Sequence, residues 1–147
     1  MANDINSIQP DEKILEFLRE NSVVSISTSI GNQPHSASCY YAFVEDDNYI
    51  AFKSDSDTRH IEEALKNNQV SGTILPDKIV KAKPKGIQFT GTFMKADGSG
   101  GKRAKEAYLR KYPVAGIFRG DIWMIALNHI KFTDNTLVFG KKLLWER

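Results

Sequence analysis

Two periods of apolar and polar residues run along the chain and divide it into elements. Ile14, Leu15, Phe17 and Leu18 fall on one stripe at helical spacing. Pro10 suits a first turn, and Asp11 and Glu12 favour the helix dipole, so Pro10 to Glu20 reads as a short amphipathic helix. Ser22 to Ser29 is β-branched and strand-like. Gly31-Asn32-Gln33-Pro34 is turn chemistry leading to a second strand, His35 to Val44. Glu45 to Asn48 turns the chain into a third strand, Tyr49 to Ser54. Asp57 is then an N-cap for a helix from Thr58 to Lys66, which stops at Asn67-Asn68.

The second half repeats this logic. Gln69 to Leu75 is a strand and Pro76-Asp77 a turn. Lys78 to Gly86 fits either an edge strand or a loop. From Gly86 to Lys95 the alternation is clean: Ile87, Phe89, Gly91 and Phe93 share one face, and Gln88, Thr90 and Thr92 the other. Ala96 to Gly101 reads as a flexible glycine-rich connection. Lys102 to Lys111 is a basic helix with Ala104, Ala107 and Tyr108 inward, and Val114 to Phe118 a second short helix after Pro113. Ile122 to Thr133 and Leu137 to Trp145 are strands joined by a tight turn at Asp134-Asn135. Short turns between so many strands favour antiparallel order, because parallel pairs need long crossovers. The expected fold class is α+β: an antiparallel barrel of about six to seven strands with peripheral helices, in one domain spanning 1–147.

Composition narrows the function classes. A chain of 147 residues suits one domain with a core of its own. The net charge of +2 is too small to argue for a nucleic-acid or membrane partner. Cys39 is the one cysteine, so no internal disulfide forms. His35, His60 and His129 show no metal-ligand spacing, and no metal is expected. No apolar signal core or membrane-length run occurs, so a soluble, cytoplasmic protein is expected. The loop Gly98-Ser99-Gly100-Gly101-Lys102-Arg103 departs from a phosphate-binding loop, with Ala96 and Arg103 where that motif needs glycine and serine or threonine.

The chemistry gathers where the third strand meets its helix. Ser54, Ser56, Thr58, Arg59 and His60 place hydroxyl, guanidinium and imidazole donors around a helix start, whose unpaired N–H groups suit an anion. Two readings stand: an anion site, or a solvated and well-capped turn in which Asp55 and Asp57 repel anions. Tyr40, Tyr41, Trp123 and Trp145 either flank a planar ligand or pack the barrel.

Ser54 followed four residues later by Thr58-Arg59-His60 resembles the phosphate motif of the flavin-binding split-barrel superfamily, whose namesake is pyridoxamine 5′-phosphate oxidase. There a strand-end hydroxyl precedes a Ser/Thr-Arg-Lys triplet. The hairpin Ser38 to Ser54, Asn68 and the strand Gly86 to Phe93 fit the same pattern. Thr58-Arg59-His60, Gly86 to Phe89, the segment Tyr108 to Ala115 and the tail Ile130 to Trp145 are similar to uncharacterised bacterial proteins of the YhbP type, over nearly the whole chain. The resemblance implies a split barrel that binds FMN as a homodimer, with the cofactor at the subunit interface. It implies a flavin-dependent oxidoreductase acting on an unknown small molecule; the alternative is a non-catalytic flavin or haem binder or sensor, and a cofactor-free member is a third reading. Ser54, Thr58, Arg59 and His60 would hold the phosphate. Ser38, Cys39, Tyr40 and Tyr41 would lie along the flavin ring with backbone groups toward its polar edge, and Gln88 would face the same pocket. His60 stands where the family has lysine. Ser38 and Phe43 stand where pyridoxamine 5′-phosphate oxidase carries arginine and lysine, so that specific activity is not expected. No catalytic side chain is implied.

Overall fold

The computed structural model describes residues 9–135 and 142–147. The chain order is α1 (Glu12–Glu20), β1 (Val23–Ile30), β2 (Gln33–Val44), β3 (Tyr49–Ser54), α2 (Arg59–Lys66), β4 (Gln69–Ile74), β5 (Lys85–Lys95), α3 (Gly98–Lys111), a 3-10 turn (Pro113–Ile117), β6 (Asp121–Asp134) and β7 (Lys142–Glu146). The polar residues 1–9 read as a loose start; residues 1–8 of it, and residues 137–141 of the last expected strand, lie outside the described residues.

All seven strands form one antiparallel sheet in the order β3-β2-β1-β4-β5-β6-β7. A further pairing of β3 with the first half of β6, from Tyr49 against Ala126 to Ser54 against Asp121, closes it into a barrel. Strand β6 is long enough to serve both sides. Its first half lies between β3 and β5, and its second half between β5 and β7. The register shifts between Thr90 and Gly91, a bulge of the kind that bends a strand around a barrel. Val24, Ile26, Phe43, Ile50, Phe89 and Ile125 exemplify the inner face. Helix α1 joins this core through Ile14, Phe17 and Leu18, with the Phe17 ring 5.2 Å from that of Phe132. Helix α2 joins it through Ile61 and Ala64. Helix α3 packs outside the barrel, where Ala104 and Tyr108 meet Ala42, Ala51 and Met124 in a second cluster.

Two local expectations are corrected and one open alternative is decided. The glycine-rich segment is not a loop: α3 begins at Gly98, with the Gly101 N–H bonded to the Asp97 carbonyl at 2.9 Å. Glycine is a poor helix former, but here it admits a close approach. A Cβ on Gly101 would lie 2.2 Å from the Ala96 carbonyl carbon. Lys78 to Pro84 forms turns rather than an edge strand, and pairing starts at Lys85. The cap of α2 is Thr58, not Asp57, and its side chain makes no capping bond.

Two features of the sheet frame the site. Among the described residues, strand β2 pairs with β3 only through Tyr41 to Val44, while Gln33 to Tyr40 pair with β1 alone. One edge of that stretch therefore carries no strand among them. The Tyr41 N–H donates to the Ser22 carbonyl at 2.9 Å, on the β1 side. Successive residues turn their N–H and C=O groups to opposite edges, so Ser36, Ser38 and Tyr40 turn theirs to the open edge. The second feature is a neutral outer face. Outward side chains from Val23 to Ser29, Pro34 to Tyr40, Gln69 to Thr73 and Gln88 to Thr92 carry no charge, although 26% of the chain is charged.

Candidate functional site

The end of β3 and the start of α2 meet beside the open edge of β2. Trp123 positions this junction: it is buried, lies 5.4 Å from the Phe93 ring, and donates its indole N–H to the Ser54 carbonyl at 3.0 Å. Ser54 Oγ lies 2.8 Å from His60 Nε2 and 3.2 Å from Thr58 Oγ1. Thr58 Oγ1 donates to the Asp55 carbonyl at 2.9 Å, which draws the hydroxyl away from the helix it would otherwise cap. The first intrahelical bond runs from the Glu62 N–H to the Thr58 carbonyl at 3.0 Å. The N–H groups of Arg59, His60 and Ile61 thus stand at the helix start with no partner among the described residues. That arrangement, with two hydroxyls and an imidazole around it, can bind an anion.

His60 is half-buried. Desolvation, and secondarily the nearby His35, hold its pKa below the ordinary histidine value, so the ring is neutral at pH 7. Its Nε2 also lies 3.9 Å from Cys39 Sγ. Burial pushes the Cys39 thiol up to about 11, so it stays protonated. Arg59 is exposed, and its Nε donates to Glu63 Oε1 at 3.0 Å. Glu63 Oε2 accepts from Thr28 Oγ1 at 3.0 Å.

The fold thus brings together Cys39, Ser54, Thr58 and His60, with Arg59 on the adjoining surface. Ser38 and Tyr40 face outward and turn backbone groups to the open edge beside them. Both also line a shallow depression of about 490 Å³ with Ser25, Thr73 and Leu75. Tyr40 exposes 62% of its surface, and its ring lies 5.8 Å from that of Tyr112. Gln88 shares a register row with Ser38 through Ser25 and Thr73, and so lies three strands away, about 14 Å within one chain.

Tyr41 is a correction. Its side chain is fully buried and its hydroxyl donates to the Leu18 carbonyl at 2.8 Å. Its carbonyl accepts from Tyr112 Oη at 2.7 Å and its N–H donates to Ser22, so its backbone groups face the β1 side and not the open edge. Trp123 and Trp145 are likewise packing residues, both buried in the core cluster. Sequence reasoning missed Glu63, Thr28 and His35. Glu63 was legible as the i,i+4 partner of Arg59. Thr28 and His35 are brought in only by the β1–β2 register, which pairs them with each other. No group of three metal-ligating side chains occurs among the described residues. No helix among them is long and apolar enough to cross a membrane.

A UPF0306 protein of Photorhabdus laumondii is 37% identical over 143 residues, spanning 97% of this chain and 100% of that protein. No protein-family model matches. Among solved structures, a heme binding protein from Mycobacterium smegmatis superposes with a TM-score of 0.77 at 11% identity; the match spans 95% of this chain and 60% of that one. A FAD-binding protein from Mesorhizobium loti gives 0.67 at 16% identity, spanning 85% of this chain and 94% of that one. A Listeria innocua protein assigned provisionally as a pyridoxamine 5′-phosphate oxidase gives 0.61 at 18% identity, over 82% and 95% of the two chains. At such identities the likeness to these structures is one of fold.

Proposed function

The chain belongs to the UPF0306 family, and on that premise we propose that it binds FMN at the junction of β3 and α2 and serves as a flavin-dependent oxidoreductase for a small molecule. One observation carries the reading: three free N–H groups at the start of α2, ringed by Ser54, Thr58 and His60, stand beside the open edge of β2. The first half fits a terminal phosphate, and the second fits the polar rim of a flat heterocycle. Donor–acceptor groups of Ser36, Ser38 and Tyr40 point to that edge in the spacing of a strand, and Tyr40 adds an exposed ring. Two solved structures of like fold, the FAD-binding protein and the Listeria protein, support the flavin class.

Bound flavin supplies the electron transfer; the chain holds the phosphate, aligns the ring and shields one side of it. Ser54 donates its hydroxyl, Thr58 donates its own once released from the Asp55 carbonyl, and Arg59 contributes its fork once turned to the helix start. His60 adds charge only when protonated. Phe43 is buried and Ser38 is neutral where pyridoxamine 5′-phosphate oxidase has cations, which argues against that substrate. A ligand shared by two copies of the chain would let Gln88, too far from Ser38 within one, reach the same pocket.

A second reading, a haem binder without catalysis, rests on His60. A neutral imidazole beside the Cys39 thiol would be the residue to hold a haem iron, and the Mycobacterium smegmatis protein of like fold is a heme binding protein. One spectrum separates the two. The visible absorption of the purified protein, with and without added FMN, is expected to show flavin bands and micromolar FMN binding. A Soret band in their place supports haem, and a colourless protein indifferent to FMN sinks the leading reading. Anaerobic mixing of the FMN-loaded protein with NADH or NADPH then tests the enzyme assignment.

A further inference from the structure

We propose that Glu63 is an internal competitor for Arg59, holding its guanidinium away from the start of α2 until an anionic ligand displaces it. The inference rests on the phosphate reading above and names what regulates that site. Arg59 is the first residue of α2. On a helix each Cα–Cβ bond tilts toward the N-terminus, so the arginine sets out toward the free N–H groups. The ion pair draws it the other way, one turn toward the C-terminus, where Nε meets Glu63 Oε1 at 3.0 Å.

The two partners are unequally held. The Glu63 side chain is 12% exposed and the Arg59 side chain 57%. Thr28, itself buried in the sheet, donates to the second carboxylate oxygen at 3.0 Å. The carboxylate is therefore fixed to the barrel and the guanidinium is the mobile partner. The hydrogen bond from Arg59 lowers the carboxyl pKa of Glu63, and Thr28 lowers it further, so the competitor stays charged at neutral pH. Around it stand His35 from β2 and Arg59 from its own helix. A ligand must offer more than a carboxylate does to win the arginine. A phosphate dianion, which also takes the helix N–H groups, does so; an uncharged ligand does not engage the exchange.

The test is titration of FMN and of riboflavin, which lacks the phosphate, into the full chain and its variants, followed by flavin fluorescence. Glu63→Gln is expected to tighten FMN about three- to fivefold, the scale of a partly exposed ion pair, and to leave riboflavin unchanged. The gain is expected to vanish in the Arg59→Ala background, where there is no guanidinium to release. Glu63→Asp, too short to span from Thr28 to Arg59, keeps the charge and guards against a folding defect; it is expected to tighten FMN with the same sign. Unchanged or weaker FMN binding by both Glu63 variants, with Arg59→Ala still weakening FMN, overturns the competitor and leaves the phosphate site standing. Unchanged FMN affinity in Arg59→Ala overturns both.

Discussion

At the scale of single residues, His60 decides how the site responds to pH. Burial first, and His35 second, lower its pKa from the usual 6.5, so the free protein holds it neutral. A nearby phosphate favours the imidazolium, so ligand and proton bind together. FMN affinity is therefore expected to rise as pH falls from about 8 to about 6.5, above the range where the phosphate itself protonates. His60→Lys is expected to tighten FMN at pH 8 and flatten the profile. A flat profile in the wild type would place His60 outside the phosphate's reach. Linkage gives the opposite sign for the unliganded fold. Below pH 6.5 the unfolded chain binds the proton that the folded chain resists, so His60 removes stability as pH drops through that range. Trp123 acts on the same junction from beneath. Trp123→Phe deletes the bond to the Ser54 carbonyl and is expected to cost about 1 kcal/mol in urea denaturation. Both residues are visible in the sequence. Their opposite places, one half-buried at the candidate site and one in the core, are set by burial, which Tyr41 shows most clearly.

Elements carry the next level. Helix α2 starts where a polar turn says it should, yet its cap lies one residue later, at Thr58, whose hydroxyl turns to the Asp55 carbonyl. That small shift leaves the helix start unfilled by the chain's own side chains. Helix α3 overrides its local propensity. Three glycines and a serine open it, a composition that reads as a linker. The packing of Ala104 and Tyr108 against Ala42, Ala51 and Met124 selects helix instead, and glycine at 101 lets the first turn lie so near the Ala96 backbone. Gly101→Ala is expected to destabilise the fold by about 2 kcal/mol in chemical denaturation, the usual scale of overpacking. Gly100→Ala, whose nearest neighbour is the tip of Arg103 at 4.0 Å, is expected to be neutral or stabilising.

For the whole molecule, the neutral sheet face bears on assembly. Solvated faces are usually mixed in charge, whereas the centres of protein interfaces are depleted of it. A face that meets its own copy across a two-fold axis must also avoid like charges. A two-fold axis along the strands, between β1 and β4, would lay β2 of one copy over β5 of the other and set Ser38 near the partner's Gln88. A homodimer is expected by sedimentation at micromolar concentration, and Ser71→Glu, at the middle of the face, is expected to dissociate it without unfolding. A wild type that stays monomeric, or a variant that stays dimeric, sets this arrangement aside.

By itself, the sequence determined the strand and helix order, the antiparallel class and the Ser54 to His60 cluster. These follow from local periodicity and turn chemistry, which need only neighbouring residues. It did not determine which residues meet across the sheet. The open edge of β2, the pairing of Thr28 with Glu63, the burial of Tyr41 and the distance of Gln88 all depend on register and on barrel closure through β3 and β6. Those are choices between long-range partners, and only the packed core, with all its apolar faces turned inward at once, selects among them.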